Sequence, residues 1–209
     1  MANHSKYRGS SFAVIFDHQL SQVLIGYSSH DKRWKFFGGT MDQVDDAPAR
    51  DEVAYKCVKR EVLGEVGVSS SRFEFLTQLG SPHEYHARDK EKEGVIDLCQ
   101  YTYVAMVKEG TELPDQVAEA DEMVERQFAS IFQVLDNCFS ARDCQRKFIP
   151  AHGIGLVRAL LFLRDMRDEA DDQVLFRSFS DTLTHLEMNG VRLDTHEAEL
   201  RGAMDRREI

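Results

Sequence analysis

The segment RWKFFGG at 33–39 is extended and aromatic, breaks at two adjacent glycines, and soon gives way to a helical pattern running from about Ala49 to Glu65. Val53, Cys57 or Val58, and Val62 recur there at helical spacing. Pro48 stands where a first helical turn tolerates it. Without a Cβ, Gly38 and Gly39 let the backbone turn sharply or approach another group closely. The extended segment therefore closes at a glycine pair just before the helical region begins.

The neighbouring sequence extends the pattern. SFAVIFD (11–17) and SQVLIGYSS (21–29) read as two strands, and RFEFLTQLG (72–80), IDLCQYTYVAMV (96–107) and VERQFAS (124–130) as three more. SPHEYHARDKEKEG, between two of them, reads as a solvated loop, with a substrate lid as the alternative. SIFQVLDNCF is a short helix, and IPAHGIGLVRALLFLRDMRDEA (149–170) a long one. Ile154, Val157, Leu160, Leu161 and Leu163 cover most of that helix's circumference, so a homodimer that uses it or the helix after it is expected. QVLFRSFSDTLTHLEM then places Leu175, Phe179, Leu183 and Leu186 on one helical face, and a turn at 189–190 precedes a last, weaker helix. The reading divides the chain into a domain at 1–168 and a helical extension at 169–209.

A chain of 209 residues, 42% of them hydrophobic, can bury one substantial core. Four scattered cysteines form neither a zinc ribbon nor a disulfide framework, and the apolar runs are too short to span a membrane, so a reduced cytoplasmic protein is expected. A net charge of -10 argues against non-specific nucleic-acid binding, which needs lysine and arginine to neutralise phosphates.

The chemistry concentrates in KREVLGEVGV (59–68). Glu61 and Glu65, four residues apart, share a helical face and could hold a hard divalent cation; the alternative is a pair of solvated surface charges. Gly64 interrupts the helix near its end at a cost of roughly 0.5–1 kcal/mol. Glu52 lies on the same helix but points away, and is a supporting candidate. His83 and His86, around Glu84, lack the further ligands that zinc needs.

Strand, glycine pair and helix ending together resemble the Nudix hydrolase family, whose signature is a glycine, five residues, Glu, seven residues, then Arg-Glu-apolar-x-Glu-Glu-x-Gly-apolar. Glu52, Arg60, Glu61, Val62, Glu65, Gly67 and Val68 fall in register with it. Two positions depart: the loop after Gly39 is about seven residues longer than the signature allows, and Gly64 replaces the first glutamate of the Glu-Glu pair. The resemblance implies an α/β (α+β) fold, a mixed sheet sandwiched between helices. It implies a cytoplasmic Mg2+ enzyme, with Mn2+ as the alternative ion, that cleaves a nucleoside diphosphate linked to another moiety, such as ADP-ribose or a nucleotide sugar, with nucleoside triphosphates as the next candidates. Glu61 and Glu65 would be metal ligands, Arg60 would fix the carboxylates, and Gly67 would permit the turn out of the helix. The general base would be Glu122, then Glu119, with Glu91 and Glu93 as alternatives. Gly38 and Gly39 would approach substrate, and Trp34 or Phe37 could stack on a base or pack in the core. The competing reading is a Nudix-fold nucleotide-binding module in which Gly64 has weakened catalysis.

Overall fold

A computed structural model of the protein describes residues 7–41, 47–80, 83–89, 94–113, 123–139, 148–170, 174 and 176–205. Strands β1 (Tyr7–Phe16), β2 (Gln22–Ser28), β3 (Arg33–Lys35) and β4 (Phe37–Thr40) lead into helix α1 (Ala47–Val66). Strands β5 (Phe73–Gln78), β6 (His83–Asp89), β7 (Gly94–Val107) and β8 (Met123–Ser130) follow, then α2 (Ile131–Phe139), α3 (Pro150–Glu169), α4 (Arg177–Met188) and α5 (Leu193–Asp205). The eight strands form one mixed sheet. β1 lies parallel to β7 along its whole length, and on its other edge pairs antiparallel with β2 at Ile15 and Phe16 and with β4 from Ser10 to Ala13.

Period-two alternation divides the core between the sheet's two faces. Ala13, Ile15, Tyr101, Tyr103 and Ala105 meet Ala54, Cys57, Val58, Val62 and Val66 of α1 on one face. Phe12, Val14, Phe16 and Val104 meet α2 and α3 on the other. The mixed sheet between helices is the expected α+β architecture. Glycines set the closeness of α3: a Cβ at Gly155 would sit 2.6 Å from the Phe12 ring, and one at Gly153 2.7 Å from Cys138 Sγ.

Two expectations change. SPHEYHARDKEKEG is not a loop throughout: 83–89 is strand β6, paired antiparallel with β7 from His83↔Gln100 to Asp89↔Gly94. Its backbone pairing supplies what its polar sequence does not advertise. The apolar breadth of α3 is also used within the chain, because β1, α2 and α5 pack against it. Phe176, just before α4, and Phe179, Leu183, Leu186, Leu193 and Leu200 of α4 and α5 join the same apolar cluster. At its edge Glu197 of α5 accepts from Arg158 Nη2 of α3 at 2.9 Å and from Arg201 Nη2 at 2.8 Å, and Arg164 reaches Asp194 at 3.1 Å. Burial alone would raise the Glu197 carboxyl, but the two guanidinium groups outweigh it and hold it below the usual carboxylate range. Burial of α3 therefore does not require a second copy.

Candidate active site

Helix α1 is fixed to the sheet at several points. Ser11 Oγ of β1 donates to the Ala54 carbonyl at 2.7 Å, and at the other end Arg126 of β8 donates to the Val66 carbonyl. Gly67 closes the helix: its φ is +72°, a left-handed conformation suited to glycine, and its N–H donates to the Leu63 carbonyl at 3.0 Å.

Strand β4 lies against this anchored helix, and its two glycines each serve one carboxylate. A Cβ at Gly38 would come within 2.2 Å of the Ser11 carbonyl oxygen and 2.4 Å of Phe12 Cα, so only glycine fits between β1 and what lies beyond. The Gly38 N–H donates to Glu65 Oε2 at 2.8 Å. Gly39 faces Glu61, and a Cβ there would be 2.7 Å from the Glu61 carboxyl carbon. The glycine pair thus contacts the acidic face of α1 directly.

The two carboxylates differ in environment. Glu61 retains 17% side-chain exposure, and Arg60 donates to its Oε1 through Nη2 at 2.7 Å and Nε at 3.1 Å. Glu65 is 1% exposed, and the Lys35 ammonium, itself 13% exposed, stands 3.4 Å from its Oε1. That contact lies outside hydrogen-bond alignment, so Glu65 Oε1 is a buried acceptor with no hydrogen-bond partner. Burial pushes the Glu65 carboxyl up to about 7, against the opposing pull of Lys35 and the Gly38 N–H, while the nearby Glu61 charge adds to the rise.

The remaining predicted residues fall elsewhere. Glu52 is 68% exposed and pairs with Lys56; nine residues before Glu61 is half a turn off at 100° per residue, so it does not join the cluster. Phe37 is fully buried in the α1-side core, with its ring against Gly26, and cannot stack on a base. Trp34 packs on the α3 side of the sheet, edge-on to Tyr27 at 5.5 Å, because alternation along the strand sends it opposite to Lys35. Its backbone carbonyl accepts the Ile149 N–H at 2.9 Å and ties β3 to the start of α3. His83 and His86 lie on β6, where their backbone pairs with Gln100 and Asp97 of β7. Glu91, Glu93, Glu119 and Glu122 lie outside the described residues.

Lys35 and His152 are contributors that the sequence reading missed. Lys35 shares the parity of Phe37 and Gly39, which places it on the α1 side of the sheet. His152, in the first turn of α3, stacks on Phe12 at 4.2 Å with parallel rings, and its Nδ1 accepts the Phe36 N–H at 2.9 Å. Burial pushes its imidazole down to about 3, helped by the Lys35 charge, so it stays neutral and holds the strand that carries Lys35 and the glycines.

The donor set suits a hard divalent cation. It offers two carboxylates on one rigid helix face, one with an unpartnered buried oxygen, and such an ion takes few protein ligands and keeps several waters. Among the described residues, no cluster of three or more His, Cys, Asp or Glu side chains is placed to hold a metal. Glu61 and Glu65 are therefore what this region offers.

Comparison with known proteins gives a consistent picture. Residues 6–152 match the NUDIX domain family. No curated protein matches the chain. Among solved structures, a C. elegans Ap4A hydrolase binary complex shares 13% identity at a TM-score of 0.53, over 76% of this chain and 98% of its own. MutT protein from Methanosarcina mazei Go1 shares 15% at 0.51, over 79% and 99%. The NUDIX domain of Shewanella oneidensis NrtR, complexed with ADP ribose, shares 19% at 0.51, over 74% and 87%. At such identities these likenesses establish the fold.

Proposed function

From the premise that the chain belongs to the Nudix family of pyrophosphohydrolases, we propose that it is a magnesium-dependent hydrolase of nucleoside diphosphates linked to another moiety. ADP-ribose and nucleotide sugars are the leading substrates, and nucleoside triphosphates come next. The observation that carries this reading is the pairing of β4 with α1: Gly38 N–H on Glu65 and the Gly39 backbone against Glu61. Two acids of one helix are held ready by the strand whose glycines leave room for them.

In this reading Glu61 and Glu65 would hold Mg2+, with Mn2+ able to replace it. Such an ion would supply charge neutralisation at the phosphates and a more acidic water for hydrolysis. Arg60 fixes the Glu61 carboxylate by its two donors, and the Gly38 N–H fixes one Glu65 oxygen, leaving the other without a hydrogen bond. The general base is assigned to Glu122, with Glu119, Glu91 and Glu93 as alternatives, on sequence position alone. Residues 169–209 act as a structural brace on α3, supported by their share of the apolar cluster and by the Arg158–Glu197 pair. Among the described residues no helix is long and apolar enough to cross a membrane, and the buried cysteines Cys57, Cys99 and Cys138 suit a cytoplasmic setting. Light scattering at micromolar concentration tests the homodimer, whose first motive, the breadth of α3, is met within the chain.

The second reading, a nucleotide-binding module with little turnover, is favoured by the local charge balance: Glu61 and Glu65 each already have a cation, and Gly64 supplies no third acid. One experiment separates the two. Purified protein is incubated with Mg2+ and a panel of ADP-ribose, nucleotide sugars, dinucleoside polyphosphates and nucleoside triphosphates, with Glu65→Gln as control; the panel includes the ligand classes named for the structural neighbours. Turnover above the control supports the enzyme. Ligand-induced thermal stabilisation with no turnover on any member supports the module instead.

A further inference from the structure

We propose that Lys35 is a built-in counter-ion on Glu65, which a divalent cation must displace, and that it sets how tightly this site takes the metal. The inference rests on the reading of Glu65 as a metal ligand. Its first support is position: the ammonium stands 3.4 Å from Glu65 Oε1, the one oxygen of that buried carboxylate left without a hydrogen bond. The other oxygen is occupied by the Gly38 N–H, so an incoming cation and Lys35 want the same atom.

The second support is local charge. Lys35 with Glu65, and Arg60 with Glu61, give two cations for two carboxylates, and Gly64 adds nothing negative. Both departures work in the same direction, since one acid is missing and one ammonium is present. A divalent cation beside a fixed ammonium in a poorly solvated site is repelled far more strongly than it would be in water. Lysine can yield where arginine could not readily do so, because its ammonium rides on a flexible four-carbon stem and makes no rigid fork. Once displaced, the ammonium is free to meet an anionic phosphate. The metal should therefore bind weakly to the free protein and more tightly when a phosphate-bearing ligand is present to receive Lys35.

The test is magnesium binding by calorimetry, and manganese binding by electron paramagnetic resonance, without substrate. Wild type, Lys35→Met, Lys35→Gln, Lys35→Arg and Glu65→Gln are compared at pH 8.5, after circular dichroism has shown that each is folded. Lys35→Met, or Lys35→Gln if the methionine variant does not fold, is expected to bind either ion at least tenfold more tightly than wild type, and Lys35→Arg no more tightly. Unchanged or weaker binding in the neutral variants, with binding abolished in Glu65→Gln, would overturn the role of Lys35 alone. Unchanged binding in Glu65→Gln would overturn the ligand assignment on which the inference rests.

Discussion

Glu65→Gln has a calculable consequence for stability that does not depend on catalysis. The carboxyl moves from an ordinary value of 4.5 to about 7 because folding buries it. Its folded-state value is the higher one, so the folded protein binds the proton more tightly than the unfolded chain. The favourable, protonated condition is fully present below about 4.5, and stability is lost as pH rises towards 7. At 1.36 kcal/mol for each tenfold change in proton affinity, ionising Glu65 costs the fold about 3 kcal/mol between pH 4.5 and 8.5. Glutamine keeps the shape and can still accept the Gly38 N–H, but it cannot ionise. It also leaves Lys35 without its anion, which changes absolute stability but adds little pH dependence in this range. Urea denaturation of both proteins in EDTA, at intervals from pH 4.5 to 8.5, should show the variant gaining about 3 kcal/mol on wild type, or about 6–12 °C in melting temperature for a chain of this size. A gap that stays flat within about 0.5 kcal/mol, a typical surface-substitution effect, would refute the burial argument. Millimolar magnesium at pH 8.5 should then stabilise the wild type and not the variant.

The two glycines should part company on substitution. Gly38→Ala drives a Cβ into the β1 backbone and should cost more than about 4 kcal/mol in chemical denaturation, the range of severe core defects. Gly39→Ala meets the Glu61 carboxylate first, a side-chain end that can shift, so the protein should remain folded while calorimetry shows magnesium affinity down at least tenfold. His152→Phe keeps the ring stack on Phe12 but leaves the Phe36 N–H without an acceptor, costing about 1–3 kcal/mol at pH 7. The wild-type imidazole is depressed to about 3, so its contribution is intact above 6.5 and is lost as pH falls. By pH 4.5 that loss is about 3 kcal/mol, and urea melts should find the variant at least as stable as wild type. Truncation after residue 169 strips the cover from α3, and sedimentation should find the shortened chain in the pellet, whereas a soluble, cooperatively melting product would show that the extension is not a brace.

Much of this arrangement is legible in the sequence, because it rests on short-range regularities. The α1 pattern, its glycine ending and the 61/65 spacing are properties of one helix. Strands β1, β2, β5, β7 and β8 announce themselves by apolar and β-branched residues. What escaped depends on partners distant in the chain. β6 is mostly polar and charged, and is a strand because β7 lies beside it. Phe37 and Trp34 look alike as aromatics beside a glycine pair, and only the sheet decides that one is buried under α1 and the other faces α3. Lys35 reads as an ordinary strand lysine until α1 brings Glu65, thirty residues later and buried, to it. His152 needs β1, β3 and α3 together before its role exists.

The parallel pairing of β1 with β7 also governs when the site can form. Tyr7 pairs with Asp97 and Phe16 with Met106, so the central strand closes a loop of about ninety residues, whereas its pairings with β2 and β4 are local. Long-range parallel closure is slow, since the loop entropy is spent before the contacts form. On the ribosome, at about 5–20 residues per second, the first strands and the glycine pair wait several seconds for β7 to emerge. During that interval β1 is an apolar strand with one open edge, and the β4 backbone that holds Glu61 and Glu65 hangs from it. Folding rate and chaperone dependence should therefore respond to changes in β1 and β7 more than to changes in the acidic helix.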